Sequence, residues 1–247
     1  MTYPTLALNI TGIALIGAQK AGKSTTAKAL NQLIQNSHRI SFADALREEV
    51  AETLAENDPD PLHDKEWFLR EMTTVPNKYH YGPLLQWWGT DFRRAQRPNY
   101  WVEKVINRIT RSANSALWLV DDCRFQNEYD ALKDIGFVFV KLGPNPLSSA
   151  GDLSAVADKR NPNHASELDW PSWEVDEDLP WGTLRQRCEQ IIGMITHRIM
   201  QGQEFTELVA CLVLEAAPRV TLNDHTTPTA AEEMERRANH PRKARTS

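Results

Sequence analysis

Apolar positions in this chain fall into short runs separated by helical patterns, and the alternation repeats from the N-terminus to about residue 200. Ile13-Ala14-Leu15-Ile16 is a strand-like run. The segment from about Lys23 to Gln35 carries Ala27, Leu30, Leu33 and Ile34 on one helical face. Arg39–Ala43 reads as a short strand ending at Asp44, and Leu46, Val50 and Leu54 mark a helix that stops before Asn57-Asp58-Pro59-Asp60-Pro61. Lys65–Met72 and Leu84–Trp88 read as helices separated by Val75–Pro83. Another helix starts at Pro98, with Trp101, Val105 and Ile109 inward. Ala116–Val120 is a continuous apolar run, as expected of a strand buried on both faces of a parallel sheet.

Gln126–Ile135 predicts a helix closed by Gly136, and Phe137–Leu142 a strand. Residues 143–180 form a long Pro-, Ser-, Asn- and Asp-rich connection of the length that lids and binding loops have. Leu184, Cys188, Ile191, Ile192, Ile195 and Ile199 give an amphipathic helix, and Phe205–Ala216 one more. Beyond Leu222 few large apolar residues remain, and a disordered tail is expected. No internal repeat is present. The alternation predicts an α/β fold in three layers, a mostly parallel sheet with helices on both faces.

The 247-residue chain is 41% hydrophobic and 25% charged, with net charge −5. That balance argues against a general nucleic-acid binder, whose footprint would be basic, and favours a small substrate. Three cysteines without CxxC spacing suggest a reducing compartment and no structural zinc. With no secretory leader pattern and no long apolar stretch, the expectation is a cytoplasmic protein without a membrane anchor. A homodimer is left open.

The chemistry concentrates in Gly17-Ala18-Gln19-Lys20-Ala21-Gly22-Lys23-Ser24-Thr25, between the first strand and first helix. Its spacing, G-x-x-x-x-G-K-[ST], is that of a phosphate-binding loop. Glycines let successive N–H groups turn inward at phosphate oxygens, and the helix adds the positive end of its dipole. Lys23 would reach the terminal phosphates and Ser24 a Mg²⁺ ion. No D-x-x-G follows, and Asn77-Lys78-Tyr79-His80 lacks the aspartate of a guanine-reading N-K-x-D, so a GTPase-like switch is disfavoured.

Asp121 and Asp122 end the buried 116–120 run, where ligands bind in open α/β sheets. At least one is a candidate Mg²⁺ ligand, against the ordinary reading of a turn or helix-cap aspartate. Arg124 suits bidentate phosphate recognition or a salt bridge to Glu128 or Asp122. Arg93, Arg94 and Arg97 could neutralise phosphoryl charge or form a solvated basic face. Trp87 and Trp88 could stack on a base or pack in the core. Lys159 and Arg160 could close as a lid over phosphates, and His164 lies in the same long connection.

Taken together, the phosphate loop, Ser41–Arg47, Leu85–Arg93 with Trp101-Val102 downstream, Asp121–Glu128 and His164-Ala165-Ser166-Glu167 resemble the bacteriophage deoxynucleoside monophosphate kinases of the P-loop nucleotide kinase group, in order and approximate spacing from residue 12 to about 200. The resemblance implies a kinase domain over 1–205, with an acceptor-binding helical insertion at about 57–97, a lid at about 143–180, and an extension over 206–247. It implies transfer of the γ-phosphoryl of ATP to a deoxynucleoside 5′-monophosphate, with Mg²⁺. Gly17–Thr25 would hold ATP, while Lys23, Arg93 and Arg124 would act on the transferring group. Asp44, Arg47, Gln86, Arg93, Arg94, Arg124 and Glu128 would line the acceptor site, and His164 and Glu167 would help fix the substrate. The family's arginine after the fifth strand has no counterpart in Lys141-Leu142-Gly143-Pro144, so Lys141 or Arg160 would substitute. A kinase of another small metabolite is the alternative, and a non-kinase triphosphate binder the more distant one.

Overall fold

Every residue of Gly12–Ile16 (β1) is buried, and its side chains divide between two cores. Ile13 and Leu15 face one side of the sheet, Ala14 and Ile16 the other, as the two-residue period of a strand requires. The computed structural model describes residues 10–74, 77–112, 116–146, 161, 163–165 and 173–201. Their sheet has five strands in the order β2-β3-β1-β4-β5, where β2 is Ser37–Ile40, β3 Leu117–Val120, β4 Phe137–Leu142 and β5 Glu177–Leu179. All four pairings are parallel, with Gly12 opposite both Trp118 and Phe137.

On one face lie α1 (Lys23–Leu33) and α7 (Leu184–Gln201), contributing Ala27, Leu30, Cys188 and Ile191 to the core. On the other lie α2 (Phe42–Asn57), α5 (Tyr100–Arg111) and α6 (Gln126–Asp134), with Trp101, Val105, Tyr129 and Leu132 packed on Trp118, Phe137 and Phe139. A third cluster, around Val50, Ala51, Phe68 and Met72, joins α2 to α3 (Lys65–Thr73) and α4 (Lys78–Gln86). The chain is therefore an α/β protein, a parallel sheet covered on both faces, with a helical insertion stacked on one side.

Four expectations change. Arg39–Ala43 is not all strand. Ser41 accepts a hydrogen bond from the Asp44 N–H and caps α2, so Phe42 to Asp44 form its first turn. The Val75–Pro83 break ends earlier, because α4 starts at Lys78 and runs through Pro83. Proline there removes a single helical hydrogen bond, and Tyr81, Leu84 and Leu85 anchor the segment on the third cluster. Trp87–Arg94 continues as a π-helix, not an ordinary one. Finally, the long connection contains β5, whose Glu177-Asp178-Leu179 is too short and polar to signal a strand. The expected 205–216 helix and the tail lie outside the described residues.

Candidate functional site

β1 and β3 are neighbours, yet their connections leave in opposite directions, β1 through α1 to β2 on one face and β3 through α6 to β4 on the other. Open α/β sheets bind ligands at such a switch point, outside the strands' carboxyl ends. The Gly17–Thr25 loop leaves β1 at that edge, and Asp121 to Arg124 leave β3 beside it.

The loop's backbone needs its glycines. Gly17 has φ 135°, and a Cβ there would collide with the Leu142 carbonyl oxygen of the adjacent strand end. Gly22 has φ 84°, and Lys20 takes the left-handed region at φ 65°. Gly22 precedes α1 without a side-chain cap, and the first turn carries no acidic residue. The early N–H groups and dipole of α1 therefore meet no negative side chain of their own helix. Lys23 folds back, its Nζ donating to the Gly17 and Ala18 carbonyls at 2.8 Å each. Ala18, Gln19, Ser24 and Thr25 are exposed at the same rim, while Ala21 is buried beneath it.

The two aspartates after β3 are used differently. Asp121, 4% exposed, accepts from Arg39 Nη2 at 3.1 Å through one oxygen. Asp122 accepts the Phe42 and Ala43 N–H groups at 3.0 and 2.8 Å, and so caps α2 across the sheet edge. Burial, with Asp121 and Glu128 nearby, lifts Asp122 to about 7 against those two donors.

Glu128 is buried and caps its own helix, accepting the Arg124 and Phe125 N–H groups at 2.6 and 3.1 Å. Its salt bridge is made by Arg94, whose guanidinium also lies over the Phe125 ring at 4.1 Å. Burial raises the Glu128 pKa, opposed by Arg94 and the two amides. Arg94 and Glu128 thus tie the π-helix to the start of α6.

Arg93 points elsewhere, to Glu49 on α2 at 2.5 Å. Glu49 also receives Trp88 Nε1, the Tyr100 hydroxyl and Lys104 Nζ, at 3.0, 2.5 and 2.7 Å. Burial alone would raise its pKa, but these donors outweigh burial and bring it to about 2. Arg97 pairs with Glu103. The arginine run is therefore distributed among three carboxylates. Trp88 packs against the core, while Trp87 is exposed and stacks on Phe92 at 5.4 Å.

Asp44 and Arg47 pair with each other at 2.8 Å and border a cavity of about 500 Å³ between α2 and α3, together with Glu66, Leu69 and Arg70. Gln86, Arg93 and Arg94 do not line that cavity. Gln86 instead clasps the backbone of Asn161, accepting its N–H at 2.9 Å and donating to its carbonyl at 3.3 Å. His164 Nε2 lies 3.5 Å from Asp91 of the π-helix. Two expected site residues, Gln86 and His164, thus each take part in a contact between the long connection and the helical segment 78–94. Lys159, Arg160 and Glu167 lie outside the described residues. Lys141 pairs with Asp178 on β5 at 3.1 Å.

Two groups went unread in the sequence. Glu49 looks like any helix-surface glutamate, and Arg187 like a charge on the polar side of α7. Yet Arg187 is buried against the loop, with Nη1 on the Ala21 carbonyl at 2.9 Å.

No family model matches the chain, and no curated protein matches it in sequence. Among solved structures, an unliganded sugar kinase from Janibacter sp. HTCC2649 aligns at 16% identity over 85% of this chain and 96% of that one, with a TM-score of 0.31. The superposition is too loose to bear on function. Among the described residues, no helix is long and apolar enough to cross a membrane, and no three His, Cys, Asp or Glu side chains are gathered to hold a metal.

Proposed function

We propose that this protein is an ATP-dependent kinase whose acceptor is a deoxynucleoside 5′-monophosphate. One observation carries the donor half. A G-x-x-x-x-G-K-S loop, with an uncapped helix start and Lys23 folded onto its carbonyls, lies at the switch point of a parallel sheet. The acceptor half is supported by the ordered blocks shared with the phage kinases, and by the contacts of Gln86 with Asn161 and of Asp91 with His164.

Phosphate as acceptor is already an anionic nucleophile, so no strong general base is needed. Catalysis amounts to aligning two anions and screening their repulsion. On this reading Lys23 exchanges its loop carbonyls for phosphate oxygens, and the α1 amides hold the chain of phosphates. Arg124 meets the acceptor. Arg93 serves the acceptor end from within the Glu49 network, which holds its orientation. Asn161, held by Gln86, and His164, against Asp91, help keep water from the transferring group.

Mg²⁺ would be held by the Ser24 hydroxyl and a β3 aspartate, and would supply charge neutralisation across the phosphate oxygens. Asp121 suits this better than Asp122, since one of its oxygens has no hydrogen bond while both of Asp122's are taken.

The test is to incubate the protein with ATP, Mg²⁺ and a panel of deoxy- and ribonucleoside monophosphates, beside sugars and other small alcohols. Diphosphate formation from a monophosphate is expected, with Lys23→Ala lowering kcat by at least ~10³ at unchanged Tm. Near-normal turnover in that variant would sink the mechanism. Transfer only to an alcohol would replace the acceptor class and leave the donor half standing.

A further inference from the structure

Arg187 is a buried cation for which the described structure offers no anion. It is 5% exposed, and no carboxylate among the described residues pairs with it. Its Nε is buried without an acceptor. Its plane lies against Gly22, where a Cβ would come within 2.6 Å of Nη1 and 3.2 Å of Nη2. The guanidinium carbon stands 5.0 Å over the Trp181 ring, in the turn after β5. Gly22 is thus required twice, for its positive φ and for the room it leaves this side chain.

Arginine is rarely buried this deeply unless paired, because an uncompensated charge in a low-dielectric site is costly. Burial pulls its pKa down, yet a guanidinium keeps its proton in a protein. A bound anion would supply the counter-charge. The neighbouring groups indicate where: Gly22 immediately precedes α1, whose first turn starts at Lys23 and carries no acidic residue.

We propose that Arg187 is a positioning residue of the phosphate loop, and that the polyphosphate of the bound nucleotide is its missing counter-anion. Its hydrogen bond holds the Ala21 carbonyl outward. In a trans peptide the following N–H points the opposite way, so the same contact turns the Gly22 N–H into the loop. Its charge, screened little at that depth, adds to the field of Lys23 and the helix start. The inference rests on the reading of the loop as a triphosphate site.

The test compares the full chain with Arg187→Met, Arg187→Gln and Arg187→Lys. Binding of ATP and of inorganic tripolyphosphate is measured by calorimetry, together with the Tm of each unliganded protein. Arg187→Met is expected to bind both anions at least tenfold more weakly. Its unliganded Tm should be unchanged or higher, because removing one uncompensated buried charge relieves the free protein. Arg187→Lys should recover most of the affinity. Arg187→Gln keeps a donor for the Ala21 carbonyl and is the neutral variant to use if Arg187→Met does not fold.

Wild-type affinity in a neutral variant overturns the proposal, whatever its Tm. Loss of ATP binding with tripolyphosphate binding intact also overturns it, since the effect would then lie at the base. A wild-type chain that binds neither anion overturns this inference and the triphosphate reading together. Binding abolished by Lys23→Ala and preserved in Arg187→Met overturns this inference alone.

Discussion

At the residue scale, neighbouring carboxylates are separated by what donates to them. Asp121 and Asp122 differ by one position, yet one pairs with a strand arginine and the other caps a helix. Asp121→Asn keeps an oxygen for Arg39, so the fold should survive, while the Mg²⁺ concentration needed for half-maximal turnover should rise at least ~10-fold. Asp122→Asn should instead lower stability by ~1 kcal/mol in a urea melt at pH 4, through its weakened cap. A magnesium titration and a urea melt on both variants check the pair, and interchanged outcomes would reverse the assignment.

Titration separates the acidic groups as well. The Glu49 pKa is depressed from 4.5 to about 2, so its network contributes stability above pH 4.5 that is lost as pH falls through 2. At neutral pH that is at most about 3 kcal/mol, and less after solvent screening of a partly exposed network. Asp122 has the opposite sign. Its folded pKa is raised from 3.8 to about 7, so its contribution is full below 3.8 and disappears as pH rises through 7. Unfolding free energies from pH 3 to 8 should show the Glu49→Gln deficit shrinking below 4.5 and the Asp122→Asn deficit shrinking above 4. A pH-independent deficit in either variant removes the ionic account of that residue.

At the element scale, the π-helix Trp87–Arg94 is the hub between the sheet domain and its insertion. Trp101 Nε1 donates to the Gly89 carbonyl at 2.9 Å, and Gly89 lets the segment approach Leu46 of α2. Arg93 and Arg94, adjacent in sequence, diverge to α2 and α6. Such widened turns recur at functional sites. Just before this hub, the Gln86 amide holds the backbone of Asn161. Gln86→Ala should lower the unfolding free energy by no more than ~1–2 kcal/mol in a urea melt, yet make the chain around Asn161 an early site of limited proteolysis. Equal cleavage rates would show that Gln86 does not hold the segment.

At the scale of the whole molecule, the sheet is gripped from both sides while the insertion has a smaller core of its own. Leu30 is fully buried in the first, and Phe68 lies in the second. Truncation of either to Ala costs ~2–5 kcal/mol, but with different reach. Phe68→Ala should accelerate hydrogen exchange in α3 and α4 before β1 and β3, whereas Leu30→Ala should loosen the sheet globally. Uniform acceleration in both variants would make the insertion part of a single cooperative unit.

The chain's own pattern determined the strand-loop-helix around Gly17–Thr25, β3, β4, α6 and the parallel α/β class. Each is local, either a hydrophobic period or a glycine spacing whose chemistry is read within about ten residues. Tertiary structure alone decided the rest. Glu177-Asp178-Leu179 becomes a strand because β4 offers it an edge, and Asp176 accepts the Phe139 N–H at 2.7 Å beside it. Arg93 and Arg94 acquire different partners because α2 and α6 pack on different sides of their helix, and Glu49 collects four donors from two segments, the π-helix and α5. Arg187 reaches Ala21 across 166 positions of chain. Burial and pairing are set by whatever the fold brings alongside, and a pattern read along one segment contains no information about its neighbours in space.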